Sequence, residues 1–448
     1  VLVIHGTRIG NLDEVGDATF HARRSKSEDG GDSTSISNGD ALLMLQNPCL
    51  VRLAVLHFAC SWGCFVMSQD ASLTLPAPPP GVVRVATFNV SLHRKAYGEL
   101  SQDLKGDDPQ ARRLAKIIAA VSPDILLANE VDYDGGESAS LLLTEYFGKA
   151  TAPSRRLAYV YSSEVNTGMP SGIDIDKNGR VGGPNDAFGF GEYPGQYGMA
   201  IFSRFPIVER EVRSFQKLLW SSMPGALRPM NSDGTPYWPD EIWNKLRLSS
   251  KTHLDVPIDI GGKRIHILAS HPTPPVFDKE EDKNGCRNHD EIRLMRDYIA
   301  GGPGTEYLRS DQGTVGPLDA SAIFVVMGDL NADPHDGSGK SEGIQALLNC
   351  PRVNAKVIPR SEGGKQASDV QGRENKKHRG DPAEDTGDFS DRNPGNLRCD
   401  FVLPSTQCEV VASGVFWPTI EQLEAVDREL LNASDHRLVW MDIRLKDR

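Results

Sequence analysis

FVVMGDLNADPHDG, residues 324–337, runs a short apolar stretch into Gly328 and then sets Asp329, Asn331, Asp333, His335 and Asp336 in quick succession. The apolar run is that of a buried strand. The acidic and amide residues after it are open to two readings. Asp, Asn, Pro and Gly are the residues that turns prefer, so a solvated turn accounts for the acids. Alternatively, a rigid strand delivers chemical groups at its end. The choice depends on whether other strands in the chain do the same.

They do. VVRVATFNV (82–90), DILLANEV (124–131), YGMAIFSR (197–204), RIHILASH (264–271), AIFVVMGDLN (322–331), CDFVLPS (399–405) and HRLVWMDIRL (436–445) read as strands between turn clusters. DPQARRLAKIIAAVSP and NHDEIRLMRDYIAG read as amphipathic helices, the first with Leu114, Ile117, Ile118 and Val121 on one face. Strands and helices alternate, so the class is α/β. Four strands carry polar groups at their C-terminal ends: Asn89, Glu130, His271, and Asp329 with Asn331. Two others begin beside polar groups, Asp400 in one case and Asp435 with His436 in the other. For all of these to meet, some strands must run opposite to the rest. Mixed sheets, packed face to face with helices outside, are therefore expected.

The composition is that of a globular protein, with 39% apolar and 25% charged residues and a net charge of −12. No global basic surface, helix-turn-helix or zinc-finger spacing supports sequence-specific DNA reading. The histidines, including His93, His253, His266, His271 and His289, show no H-E-x-x-H spacing, which disfavours a zinc hydrolase. Residues 1–43 include a polar, Gly- and Ser-rich stretch and are expected as a disordered or non-native leader. LAVLHFACSWGCFVM (53–67) is too short for a membrane span and suits the apolar region of an export signal, assigned to 44–68. A Pro-rich linker (69–81) and one domain (82–446) complete the expectation, and the protein is expected to be secreted or periplasmic. With export, one or two disulfides among Cys286, Cys350, Cys399 and Cys408 are also expected.

In order along the chain, TFNV, NEV, SHP, GDLNADP, RCDFVLPS and SDH resemble the endonuclease/exonuclease/phosphatase superfamily over about residues 82–446. The resemblance implies a four-layered α/β sandwich, two packed mixed β-sheets flanked by helices. It implies a site in which Glu130, with Asn89, holds Mg²⁺ or Mn²⁺ and Asp435 is a second carboxylate near the metal. His436 would bond the scissile phosphate or help water attack it, with Asp400 fixing its tautomer. Asp329 would orient or deprotonate the water, Asn331 hold a phosphate oxygen, and His271 contact phosphate. The implied activity is hydrolysis of a phosphate ester by direct water attack, with a phosphodiesterase or nuclease expected and a phosphomonoesterase as the alternative. The partners are a phosphate-ester substrate, nucleic acid among the candidates, with no stable membrane span and a monomeric chain.

Three long insertions set this sequence apart. In 161–197, Asp174, Asp176, Asn178 and Gly179 follow the spacing of calcium loops, although Asn185 stands at the twelfth position where such loops carry Glu. A loop-stabilising Ca²⁺ is one reading of this stretch and a plain Asp- and Gly-rich turn the other, and a non-catalytic Ca²⁺-dependent binding module is the rival to the enzyme. The second, 214–250, carries Trp220, Tyr237, Trp238 and Trp243, suited to stacking on a base or to a small satellite core. The third, 360–396, holds the basic cluster Lys376, Lys377, His378 and Arg379, either a phosphate receiver or a solvated loop. Arg287 and His289, ahead of a helix, are candidate phosphate-binding residues.

Overall fold

A computed structural model describes residues 73–446. The expected leader and export signal lie outside the described residues. Among the described residues eleven strands form two sheets. They are β1 (Val82–Leu92), β2 (Ile125–Val131), β3 (Tyr159–Ser162), β4 (Met199–Ser203), β5 (Arg213–Ser214), β6 (His253–Ile260), β7 (Lys263–Ser270), β8 (Ile323–Asp329), β9 (Asp400–Pro404), β10 (Cys408–Phe416) and β11 (Leu438–Leu445). One sheet has the order β10-β11-β1-β2-β4-β3, the other β5-β6-β7-β8-β9.

Both sheets are mixed, as expected. In the first, β1 runs parallel to β2 and antiparallel to β11; in the second, β7 runs parallel to β8, and β8 antiparallel to β9. Each parallel pair therefore points two C-terminal ends one way, and an antiparallel neighbour starts beside them. Asp329 is thereby paired in register with Asp400.

Alternation along the strands assigns the faces. Val83, Val85, Ile125 and Leu127 from one sheet meet Val256, Ile258, Ile265, Ile267, Val325 and Met327 from the other in a shared core. Ala86, Phe88, Leu126 and Ala128 face away, against the helix Pro109–Val121. Phe324, Val326, Phe401 and Leu403 face the helix Lys283–Ala300 on the far side. The result is the four-layered sandwich. Pro109–Val121 starts where Asp108 accepts the Ala111 N–H at 2.7 Å, with Pro109 in its first turn. Such a cap is worth about 1 kcal/mol.

Two expectations are corrected. The Pro-rich segment is no free linker: Leu75 donates its N–H to Ala120 O at 2.8 Å, and Arg84 donates to Pro76 O at 2.9 Å, so the chain is fastened to the domain before β1 begins. Cys286, Cys350, Cys399 and Cys408 are free thiols, each buried, and none is paired with another. No helix among the described residues is long and apolar enough to cross a membrane.

Candidate active site

The strand ends converge on Asp329, whose side chain is fully buried. Its Oδ2 accepts from Asn89 Nδ2 at 3.1 Å and lies 3.3 Å from His271 Nε2 and 3.6 Å from His436 Nε2. Its Oδ1 accepts the Asn331 N–H at 2.9 Å. His436 turns its Nδ1 to Asp400 Oδ2 at 2.8 Å, and its Nε2 makes no hydrogen bond. Phe389 packs edge-on against that imidazole with ring centroids 5.3 Å apart. Glu130 accepts from Asn89 Nδ2 at 3.1 Å and lies 3.0 Å from His93 Nδ1.

The backbone is bent to achieve this. Glu130 and Asn331 both sit in the left-handed region, at φ 60° and 50°, as does Ser91 within the register shift between Asn89 and Leu92 in the β1–β2 pairing. A non-glycine residue held there stores strain of order 1 kcal/mol or more, and such residues concentrate at functional sites. Gly328 has φ 152°, and a Cβ on it would stand 2.0 Å from Ser270 O. The ends of β7 and β8 can approach this closely only because position 328 has no side chain.

These contacts set the charges. Burial alone would raise the Asp329 carboxyl, but the charge of His436 and the His271 hydrogen bond hold it well below the usual carboxylate range. Burial would likewise lower His436, yet Asp400 and Asp329 outweigh it and lift the imidazole to about 10. Burial raises Asp400 despite its histidine partner. Glu130, opposed by burial but bonded to His93 and Asn89, is held down at about 2. His271 is pushed down by burial and by the charge of Lys251, against the opposing pull of Asp329 and Glu130.

Asp329, Asp400 and His436 offer ligand atoms all within 4.8 Å of one another. The chemistry argues against a cation there, because the His436 and Asp400 atoms already bond each other. Glu130 fits better: it is ionised, partly open to solvent and near Asn89, and a small hard cation needs only one or two protein carboxylates.

The structure thus gathers Asn89, Glu130, His271, Asp329, Asn331, Asp400 and His436. Asp435 departs from the expectation. Side chains alternate along this extended segment, so while His436 points at Asp329, Asp435 lines a groove of about 530 Å³ with Gln371, Asp388, Trp417 and Arg437. Arg287 is also corrected: its guanidinium donates to the carbonyls of Leu248, Arg247 and Phe188, which fasten two insertions together. His289 pairs with Asp290 at 3.0 Å, and Asp290 accepts from Trp220 Nε1, so both belong to the insertion's support.

The insertions divide similarly. Trp220, Trp238 and Trp243 are buried at 1%, 4% and 7% exposure, a satellite core and no stacking platform. Lys376 and Lys377 pair with Asp369 and Glu374, His378 bonds Pro394 O, and Arg379 bonds Asp336 and His335 O. That cluster is internally compensated. In the first insertion ligand atoms of Asp174, Asp176 and Asp186 lie within 4.8 Å of one another, and Asn178 donates its N–H to Asp174 and Asp176. Asn178 Oδ1 accepts the Arg180 N–H.

Several positioning groups are not singled out in the sequence: Asn129 and Ser434, although they lie inside NEV and SDH, and Thr386, His93 and Lys251, outside any of the quoted motifs. Asn129, inside NEV, accepts the Asp329 N–H at 3.3 Å and donates to Ser270 O at 3.5 Å, bridging three strand ends. Thr386 donates to Asp400 Oδ2 at 2.8 Å and accepts the Asp400 N–H at 2.9 Å. Ser434 donates to Asn89 O and accepts the His436 N–H. His93 and the buried Lys251 are likewise part of the surroundings.

No curated protein matches the chain. Among solved structures it is similar to an endonuclease/exonuclease/phosphatase from Beutenbergia cavernae DSM 12333, at 19% identity over 82% of this chain and 72% of that one, with a TM-score of 0.44. A family protein from Leptotrichia buccalis C-1013-b matches at 17% identity over 80% and 98%, TM-score 0.42. A sphingomyelinase C from Streptomyces griseocarneus matches at 13% identity over 81% and 99%, TM-score 0.38. The model of the Endonuclease/Exonuclease/phosphatase family matches residues 86–436, a span that holds every strand-end group gathered around Asp329, and the chain belongs to that family.

Proposed function

We propose that the protein is an exported, divalent-metal-dependent phosphoesterase that cleaves a P–O bond by direct attack of water. A phosphodiester, nucleic acid included, is the favoured substrate class, and a phosphomonoester at the same site is the alternative. The observation that carries this is the arrangement of two imidazoles on one buried carboxylate, with the outer imidazole held by a second buried carboxylate.

Asp329 is ionised and fixed by Asn89 and Asn331, so it orients the lone pair of an attacking water. A carboxylate held so low is a weak base. It gains basicity as the charge of His436, which acts on it without a hydrogen bond, is taken up by the phosphoryl oxygens. His436 is protonated, with Asp400 fixing the Nδ1 proton, and donates from Nε2 to the oxygen on which negative charge grows. Asn331 and His271 add donors on the same side. Mg²⁺ or Mn²⁺ held by Glu130 and Asn89, when bound, supplies Lewis-acid polarisation of the phosphoryl group.

The test is turnover of bis-p-nitrophenyl phosphate, p-nitrophenyl phosphate, plasmid DNA, RNA and sphingomyelin with Mg²⁺, Mn²⁺ or EDTA, beside Asp329→Ala. Metal-dependent hydrolysis lost in the variant is expected, fastest on a diester. A folded protein inert on every substrate with either metal overturns the reading in favour of a binding module. A structural Ca²⁺ at Asp174, Asp176 and Asp186 is a second proposal, carried by the convergence of those three carboxylates.

A further inference from the structure

Lys251 is buried to 6% exposure, yet its ammonium makes no hydrogen bond or ion pair among the described residues. The charges of Glu291, Glu130 and Asp329 act on it, and its own charge acts on His271. It therefore stands in the electrostatic surroundings of the site without being bonded to any member of it.

The chain on either side of Lys251 is held by residues from distant regions. Glu291 accepts the Ser250 N–H with one oxygen and the Thr273 N–H with the other, both at 2.6 Å. Asn166 donates its N–H to Lys251 O at 3.0 Å and its amide to Ser249 O and Gln216 O, both at 2.7 Å. His253 lies 2.7 Å from Ser249 Oγ and 2.9 Å from Glu291 O. Glu291, the carboxylate that acts most strongly on the ammonium, is thus occupied with backbone donors. A buried cation needs acceptors for its hydrogens. Here the backbone is fixed and the three ammonium hydrogens are left for something that arrives.

We infer that Lys251 is a further catalytic residue of this site, donating to a non-bridging oxygen of the substrate's phosphoryl group. The inference rests on the phosphoesterase reading above. An ammonium is a compact point charge that suits a phosphoryl oxygen without demanding bidentate geometry. Charge on those oxygens grows toward the transition state, so the contact strengthens there and acts chiefly on kcat. A merely structural role makes the opposite forecast: a counter-ion to Glu130 and Asp329, once removed, tightens cation binding and leaves phosphate affinity alone.

The experiment uses the full chain with Lys251→Met and Lys251→Arg. It reads kcat and KM on bis-p-nitrophenyl phosphate with Mg²⁺, and calorimetric titration with Mg²⁺ alone and with inorganic phosphate in the presence of Mg²⁺. Lys251→Gln serves the same titrations if the Met variant melts below the assay temperature. The Met variant is expected to lose about 100-fold in kcat/KM, mostly through kcat. It should bind phosphate about tenfold more weakly, with Mg²⁺ affinity undiminished, and Lys251→Arg should recover much of both losses. Phosphate affinity and kcat equal to those of an active wild type overturn the inference and leave the phosphoesterase reading intact. A wild type that neither turns over nor binds phosphate overturns both.

Discussion

His253 and His436 are both buried histidines beside a buried acid, in segments that tie distant strands together, and they end up with opposite properties. His253, at the start of β6, has both ring nitrogens engaged, with Ser249 Oγ and Glu291 O, and burial pushes its pKa down. His436, just before β11, has one nitrogen on Asp400 and the other unbonded 3.6 Å from Asp329, and its pKa is pushed up to about 10. Arg287 and Lys251 repeat the contrast with cations, one bonded to three carbonyls, the other to no group among the described residues. Burial and residue type do not separate frame from site in this molecule. The difference lies in whether the hydrogen bonding of the buried group is closed.

That rule can be broken by four measurements. The largest effect belongs to His436→Ala and Asp329→Ala, each expected to lower kcat by about 10³-fold or more in a protein that still melts cooperatively. Retention of a tenth of wild-type turnover would show that the open nitrogen is idle. His253→Ala is expected to cost about 1–3 kcal/mol in denaturant unfolding, through the unpaired partners it leaves, with kcat of the folded protein unchanged; a large kcat loss there would erase the distinction.

Asp385 sharpens it differently, as a buried carboxyl set among other acids. Burial and the charges of Asp333 and Asp336 lift it to about 8. The folded chain therefore holds a proton that the unfolded chain has released, and stability falls as pH rises from about 4 toward 8. Asp385→Asn should raise the melting temperature most at pH 8, less at pH 5, and leave it nearly unchanged at pH 4 and below. An equal shift at pH 8 and pH 4 would place the effect elsewhere. The smallest effect expected is a rise in melting temperature on adding Ca²⁺, abolished in Asp174→Ala. A rise that survives in that variant would disconnect the convergence of Asp174, Asp176 and Asp186 from cation binding.

The strand ends are legible in the sequence because apolar runs and the polar groups closing them are local. GDLN and SDH can be read without knowing what they touch, and the meeting of oppositely directed ends forces the mixed sheets. β6 is hard to read because HLDVPIDI carries Pro257 and two acids through a strand that is nonetheless buried for most of its length. The short β3 and β5 offer too few residues for any period to show. Arg287 misleads because a cation beside a helix looks the same whether its hydrogens meet phosphate or carbonyls. Lys251 escapes for the complementary reason: one lysine after two serines has no pattern, and only the distant Asn166 and Glu291 reveal that its position is held. Asp435 suggests itself by adjacency to His436, and adjacency along an extended chain means opposite sides.

Gly328 sets a limit on what mutation can do to this protein. A single methyl group at that position would intrude on Ser270 O and part the strand ends bearing His271 and Asp329. No substitution at residue 328 can therefore tune the chemistry by degrees; it can only abolish the spacing on which the chemistry depends. Changes in what the protein acts upon must enter through the rim, where 161–197, 214–250 and 360–396 have room to lengthen and repack. The molecule's capacity to diversify and its incapacity to tolerate a side chain at one glycine are two sides of the same close contact between β7 and β8.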